Sequence, residues 1–158
     1  MEKDTRAYAG NRISETMIEN LVRTFYGRER PDPLIGPIFE SKVQEWETHI
    51  RQICNFWSSI LLKSGRYHGQ PMAAHMPLPV GTPHFERWLQ IFTKTVHEIC
   101  PPKAVAQILE RACRIAESLK LGIASQKSNI EPIPRRRSQY EVYSAQASQR
   151  GNTREMKL

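Results

Sequence analysis

The chain has 158 residues, 39% hydrophobic and 25% charged side chains and a net charge of +7, a composition ordinary for one globular domain of about 150 residues and too short for several. No stretch approaches the ~20 uninterrupted apolar residues of a membrane span, and the charged opening MEKDTRAYAGNR has no apolar run, so no secretory signal is expected and the cytoplasm is the expected compartment. Cys54, Cys100 and Cys113 are widely spaced without a CxxC pair, which argues against a zinc ribbon or a disulfide framework and for small buried thiols.

After an N-terminal extension over residues 1–12, apolar positions Ile13, Met17, Ile18, Leu21, Val22, Phe25 and Tyr26 step by three and four. That spacing predicts an amphipathic helix over 13–26 with Ser14 as N-cap. Pro31 and Pro33 end it, since proline lacks the amide and crowds the preceding turn. Leu34-Ile35-Gly36-Pro37-Ile38-Phe39 then reads as a short, turn-rich apolar piece.

A second helix is expected from about Lys42 to Lys63, with Ser41 and Gln44 forming a capping box. Its stripe is Val43, Trp46, Ile50, Ile53, Trp57 and Ile60. The adjacent line His49, Ile53, Phe56 and Ile60 shares that face, which turns His49 toward apolar company. Gly65 and Gly69-Gln70-Pro71 break the chain, and Met72–Met76 reads as one helical turn closed by Pro77 and Pro79.

Thr82 and Pro83 suit the N-cap and first position of a third helix, which carries Phe85, Trp88, Leu89, Phe92, Val96 and Ile99 on one side. Pro101-Pro102 separates it from a fourth, with Val105, Ile108, Leu109, Ala112, Ile115, Ala116 and Leu119 inward and Gly122 as C-cap. No apolar residues alternate as in strands, so the fold class is all-α. Residues 124–158 hold +4 of the net charge and no Phe or Trp. They cannot bury enough apolar area to offset ordering entropy, so a disordered basic tail is expected.

A Gly-rich phosphate loop, a GxSxG elbow and an HExxH zinc pair are all missing. His97 precedes Glu98 without a second histidine one turn on, and Gly69 and Pro71 interrupt any helix that would align His68 with His75. His75 stands out. It sits on a single turn between Pro71 and Pro77, among Met72, Ala73, Ala74, Met76 and Leu78. An imidazole on so short and rigid a piece suits an axial nitrogen for haem iron in an apolar crevice. The alternative is a partly buried histidine bonded to a carbonyl.

The stretch Tyr67-x-Gly69-x-x-Met72-x-x-His75 is similar to the one before the proximal histidine of truncated haemoglobins, one residue tighter than their common form and closer to the third group. Three further segments resemble that group, in its order: Phe25-Tyr26 followed by Asp32-Pro33-Leu34-Ile35-Gly36-Pro37-Ile38-Phe39, Trp46-x-x-His49 with Asn55-Phe56-Trp57, and His84-Phe85-Glu86-Arg87-Trp88-Leu89. The likeness covers residues 13 to about 121. Gly-Gly pairs common at helix ends elsewhere among truncated globins are absent, as this group tends to lack them.

The resemblance implies a shortened globin domain over 13–123, two helix pairs sandwiching haem b. It implies His75 as the iron's proximal ligand, with its second nitrogen bonded to an acceptor that the sequence does not identify. On the opposite face it places Tyr26, His49 and Trp88, where a phenol or indole donor would hold a ligand carrying partial negative charge. His49 is a gate, a second axial ligand or a proton acceptor. Ile53, Phe56 and Trp57 line the pocket or stabilise helix packing, Phe25, Phe39 and Met72 are candidate apolar haem contacts, and Arg51, Lys63 and Arg66 are candidate propionate partners.

The function implied is binding of dioxygen, nitric oxide or carbon monoxide at pentacoordinate iron, in a monomer. The alternative is a nitric oxide dioxygenase or peroxidase-like enzyme fed by an external reductase, because the chain has no flavin or nicotinamide domain. Arg135-Arg136-Arg137 with Tyr140 and Tyr143 raises contact with nucleic acid or an anionic membrane surface, against the plainer expectation of a solubilising tail.

Overall fold

The structure, a computed structural model, describes residues 12–127. These form six helices and no strand: α1 (Glu15–Glu29), α2 (Gly36–Lys42), α3 (Trp46–Leu62), α4 (Pro71–His75), α5 (Thr82–Ile99) and α6 (Pro102–Lys127). α1 packs on α3 and α5, while α6 packs on α5 and α4. The long helices therefore make the two expected pairs, α1 with α3 and α5 with α6.

α1 starts as its sequence directs, with the Ser14 hydroxyl accepting from the Met17 amide at 3.2 Å. Met17, Ile18, Leu21, Val22, Phe25 and Tyr26 all face the core, each burial worth roughly 1.5–3 kcal/mol for side chains of this size. After Glu29 the chain turns sharply. Asp32 accepts the amides of Leu34 and Ile35 at 3.0 and 3.1 Å and pairs with Arg87 of α5 at 2.6 Å.

The expected turn-rich piece is a real helix, α2, because Asp32 satisfies amides at its entrance and Pro37 suits its first turn. Gly36 is needed there, since a Cβ would lie 2.4 Å from the Arg30 carbonyl oxygen.

Three expected caps differ from those observed. Ser41 and Gln44 make no capping box. Ser41 Oγ donates to the Ile38 carbonyl within α2, and Glu45 caps α3 by accepting the Glu47 and Thr48 amides at 3.0 and 2.7 Å. α3 therefore begins at Trp46 rather than Lys42, since a carboxylate that takes two amides outcompetes a hydroxyl that takes none. α5 is capped at Gly81 instead of Thr82, because the His84 Nδ1 reaches back to accept the Gly81 amide at 3.0 Å.

Gly122 does not end α6, which continues to Lys127. The glycine admits Met72, whose sulfur lies 2.5 Å from where a Cβ would be. Its smallness brings α4 close to α6. Ala124–Lys127, expected at the head of the tail, thus belong to a helix, and residues 128–158 lie outside the described residues.

The core between α1, α3 and α5 is aromatic. Phe92 of α5 stacks on Trp57 of α3 at 5.1 Å and on Trp88 at 4.9 Å, and Phe25 sets its edge against both Trp88 and Phe92. The three thiols are free, as expected. Burial pushes Cys54 and Cys100 up to about 11, so both remain protonated.

Candidate functional site

Beside this core lies a cavity of about 700 Å³, within the ~300–1,000 Å³ typical of cofactor and ligand sites. α2 and α3 form one wall, α5 and α6 supply others, and α4 with the Pro77–Val80 strap closes the last.

His75 lines the cavity from α4. Its Nδ1 lies 2.6 Å from the Pro71 carbonyl oxygen, one turn earlier. A carbonyl only accepts, so Nδ1 carries the hydrogen, and in the neutral form of the ring the lone pair is on Nε2. The carbonyl bond of one sequence alternative is present at Nδ1, and it does not engage Nε2, the nitrogen that the other alternative needs. Pro71 is the acceptor that the sequence left unidentified.

Tyr26 and His49 face the same cavity from α1 and α3. The phenol oxygen and His49 Nε2 lie 2.9 Å apart, and the Phe39 and Trp46 rings meet the imidazole edge-on. Burial raises the Tyr26 phenol well above its ordinary range, so it stays protonated; an anion at Glu29 would push it higher still. Burial and then the neighbouring His75 lower His49, so its imidazole is neutral at pH 7. Where His49 donates from Nε2, the phenol O–H is left free to point into the cavity. Trp88 completes this side from α5, fixed by its stack on Phe92.

Phe39, Ile53, Phe56 and Trp57 also line the cavity. Met72 does not. It lines a neighbouring hollow of about 340 Å³ beside Arg111 and Arg114, because the notch at Gly122 draws it toward α6. Phe25 lies behind the wall, packed on Trp88. None of Arg51, Lys63 and Arg66 lines the cavity, and Arg66 pairs with Glu15 at 3.3 Å. The lining lysine is Lys42, at the end of α2. It stood outside every apolar stripe, so periodicity gave no signal for it.

Residues 12–120 match the family model described as bacterial-like globin. The chain belongs to that family. Among its globin relatives is the group 3 truncated hemoglobin ctb of Campylobacter jejuni, 36% identical over 109 residues that cover 66% of this chain and 86% of the relative. The group 2 truncated hemoglobin YjbI of Bacillus subtilis is 33% identical over 79 residues, which cover 49% of this chain and 60% of the relative. A crystal structure of group III truncated hemoglobin from Campylobacter jejuni superimposes with a TM-score of 0.67 at 32% identity, covering 78% of this chain and 95% of that one.

The chain is thus a truncated globin of the third group, and as a globin a haem-binding protein. Its residues fit that cofactor: an apolar cavity has an imidazole presented from α4, with Nδ1 tied to a carbonyl, and polar side chains on α1, α3 and α5. No described helix is long and apolar enough to cross a membrane.

Proposed function

We propose that this globin holds haem b through His75 and binds dioxygen, or another small diatomic gas, at pentacoordinate iron. Bound haem supplies an open iron position that takes the gas. The hydrogen bond from His75 Nδ1–H to the Pro71 carbonyl carries this reading: it fixes the tautomer that leaves Nε2 for the metal and makes that nitrogen more basic.

The remaining work falls to the opposite wall. Tyr26 and Trp88 offer O–H and N–H donors where a ligand gathers partial negative charge, in an apolar cavity where such bonds gain strength. His49, neutral at pH 7, meets the phenol at 2.9 Å and steers the Tyr26 hydroxyl. Lys42, at the cavity lining, is the cation suited to a propionate.

The visible absorption spectrum of the reduced protein, before and after carbon monoxide, tests this in wild type and His75→Ala. A Soret band that shifts with the gas, and that His75→Ala weakens or distorts, is expected. Wild-type protein supplied with haem but lacking a stoichiometric band would overturn the reading.

A further inference from the structure

α1 carries one core-facing side chain that gas binding leaves unexplained. Glu29 ends the buried stripe three residues after Tyr26 and is 0% exposed. Neither carboxylate oxygen has a hydrogen-bond partner among the described residues.

Arg30, the cation that acts on it, is paired elsewhere, as are Arg28 on the same helix and Arg87 on α5. Arg30 pairs with Glu40 of α2 at 3.2 Å, and Arg87 of α5 pairs with Asp32 at 2.6 Å. Arg28 reaches Glu98 and the Thr95 hydroxyl of α5. The charged neighbours Asp32 and Glu40 repel an anion at Glu29, and Arg30 only partly offsets them. A buried carboxyl without a partner keeps its proton. Burial first, and then Asp32, push Glu29 up to about 8.

We propose that Glu29 is a positioning residue for the ligand site: a neutral carboxyl in the wall behind Tyr26, whose ionisation loosens the pocket's hold on a diatomic ligand. Residues three apart on a helix face have Cβ atoms ~5–6 Å apart, so the new charge acts across a short, poorly screened distance. An anion there makes the phenol a weaker donor and repels the partial negative charge that the phenol stabilises. The proton leaves to solvent, with no redox step. The inference rests on the gas-binding reading of the same site.

The linkage has a definite sign. Unfolded Glu titrates near ~4.3, while folded Glu29 holds its proton to about 8. The native state therefore binds more protons between these values, and stability falls as pH rises through that window and levels off above it.

Two measurements on haem-loaded protein test the proposal, each in wild type, Glu29→Gln and Glu29→Met. Denaturant unfolding should show the wild type losing stability across this window by roughly a hundredfold or more in the folding constant, and both variants losing far less. Dioxygen dissociation should accelerate severalfold through about pH 8 in wild type and stay flat in the variants. Equal unfolding slopes in all three proteins would overturn the buried neutral acid. The expected slopes with pH-independent dissociation would overturn the coupling and leave gas binding standing. Protein that takes up no haem would overturn gas binding and the coupling with it, while the unfolding slope would still report the acid.

Discussion

The two sides of the cavity are built by different means. Tyr26, Trp57 and Trp88 stand on long helices whose aromatic rings lock α1, α3 and α5 together. His75 stands on a five-residue helix without one buried side chain, held by flanking prolines and by Met72 seated against Gly122 of α6, with the imidazole tied to a carbonyl of the same turn. On the first side the cavity-facing residues also belong to the core or pack directly on it, so the proposed chemistry and stability share atoms. On the second the chain is stiffened locally, and an imidazole is presented to the cavity at little cost to the fold. The contrast teaches that mutational effects should split by side.

The largest test of that split is Trp57→Ala. Trp57 is 2% exposed and stacks on Phe92, so its loss should cost about 3–5 kcal/mol in denaturant unfolding. A loss under ~1 kcal/mol would erase the distinction.

Next comes the corner that holds the wall. Burial pushes the Asp32 carboxyl up, but the Arg87 hydrogen bond and the Ile35 and Leu34 amides outweigh it and hold the group below its usual range. A depressed folded pKa gives stability that is full above the unfolded value, near ~3.9, and is lost as pH falls through the folded one. Asp32→Asn should cost roughly 1.5–3 kcal/mol at pH 7, as for hydrogen bonds to charged groups. It should also flatten unfolding curves taken at acid pH, and an unchanged acid limb would count against the Asp32–Arg87 clamp.

Tyr26→Phe should cost about 1 kcal/mol of fold and speed gas dissociation roughly tenfold, the equivalent of ~1.4 kcal/mol. Stopped-flow rates equal to wild type would remove the phenol from the ligand site. The smallest effect on the fold belongs to the proposed iron ligand: His75→Ala should leave unfolding within ~0.5 kcal/mol when measured without haem. A larger change there would mean that α4 is structural after all.

The long helices were legible because their apolar residues recur at three and four, and Tyr26, His49, Trp88 and His75 were placed by the four segments resembling truncated haemoglobins. What escaped were features decided by competition between neighbours. Glu45 prevailed over Ser41 as a cap because two amides lay within its reach. Met72 left the cavity because Gly122, read as a stop signal, is a notch. Lys42 sits where only the folded end of α2 could bring it. Glu29 continues the stripe of Phe25 and Tyr26 by helical spacing, yet a carboxylate near Pro31 reads as the wet end of a helix. Its burial follows from the turn at Asp32.

The aromatic stack has an optical consequence. Trp57 and Trp88 line the cavity, and Trp46 touches both Tyr26 and His49, so all three indoles of the chain lie at the chamber or one ring away from it. Ultraviolet-excited indole emission overlaps the strong violet absorption of a porphyrin, and excitation passes efficiently across such short separations. The empty globin should glow and the filled one should be dark, which makes the chain a built-in gauge of its own occupancy, readable by intrinsic fluorescence without any attached dye.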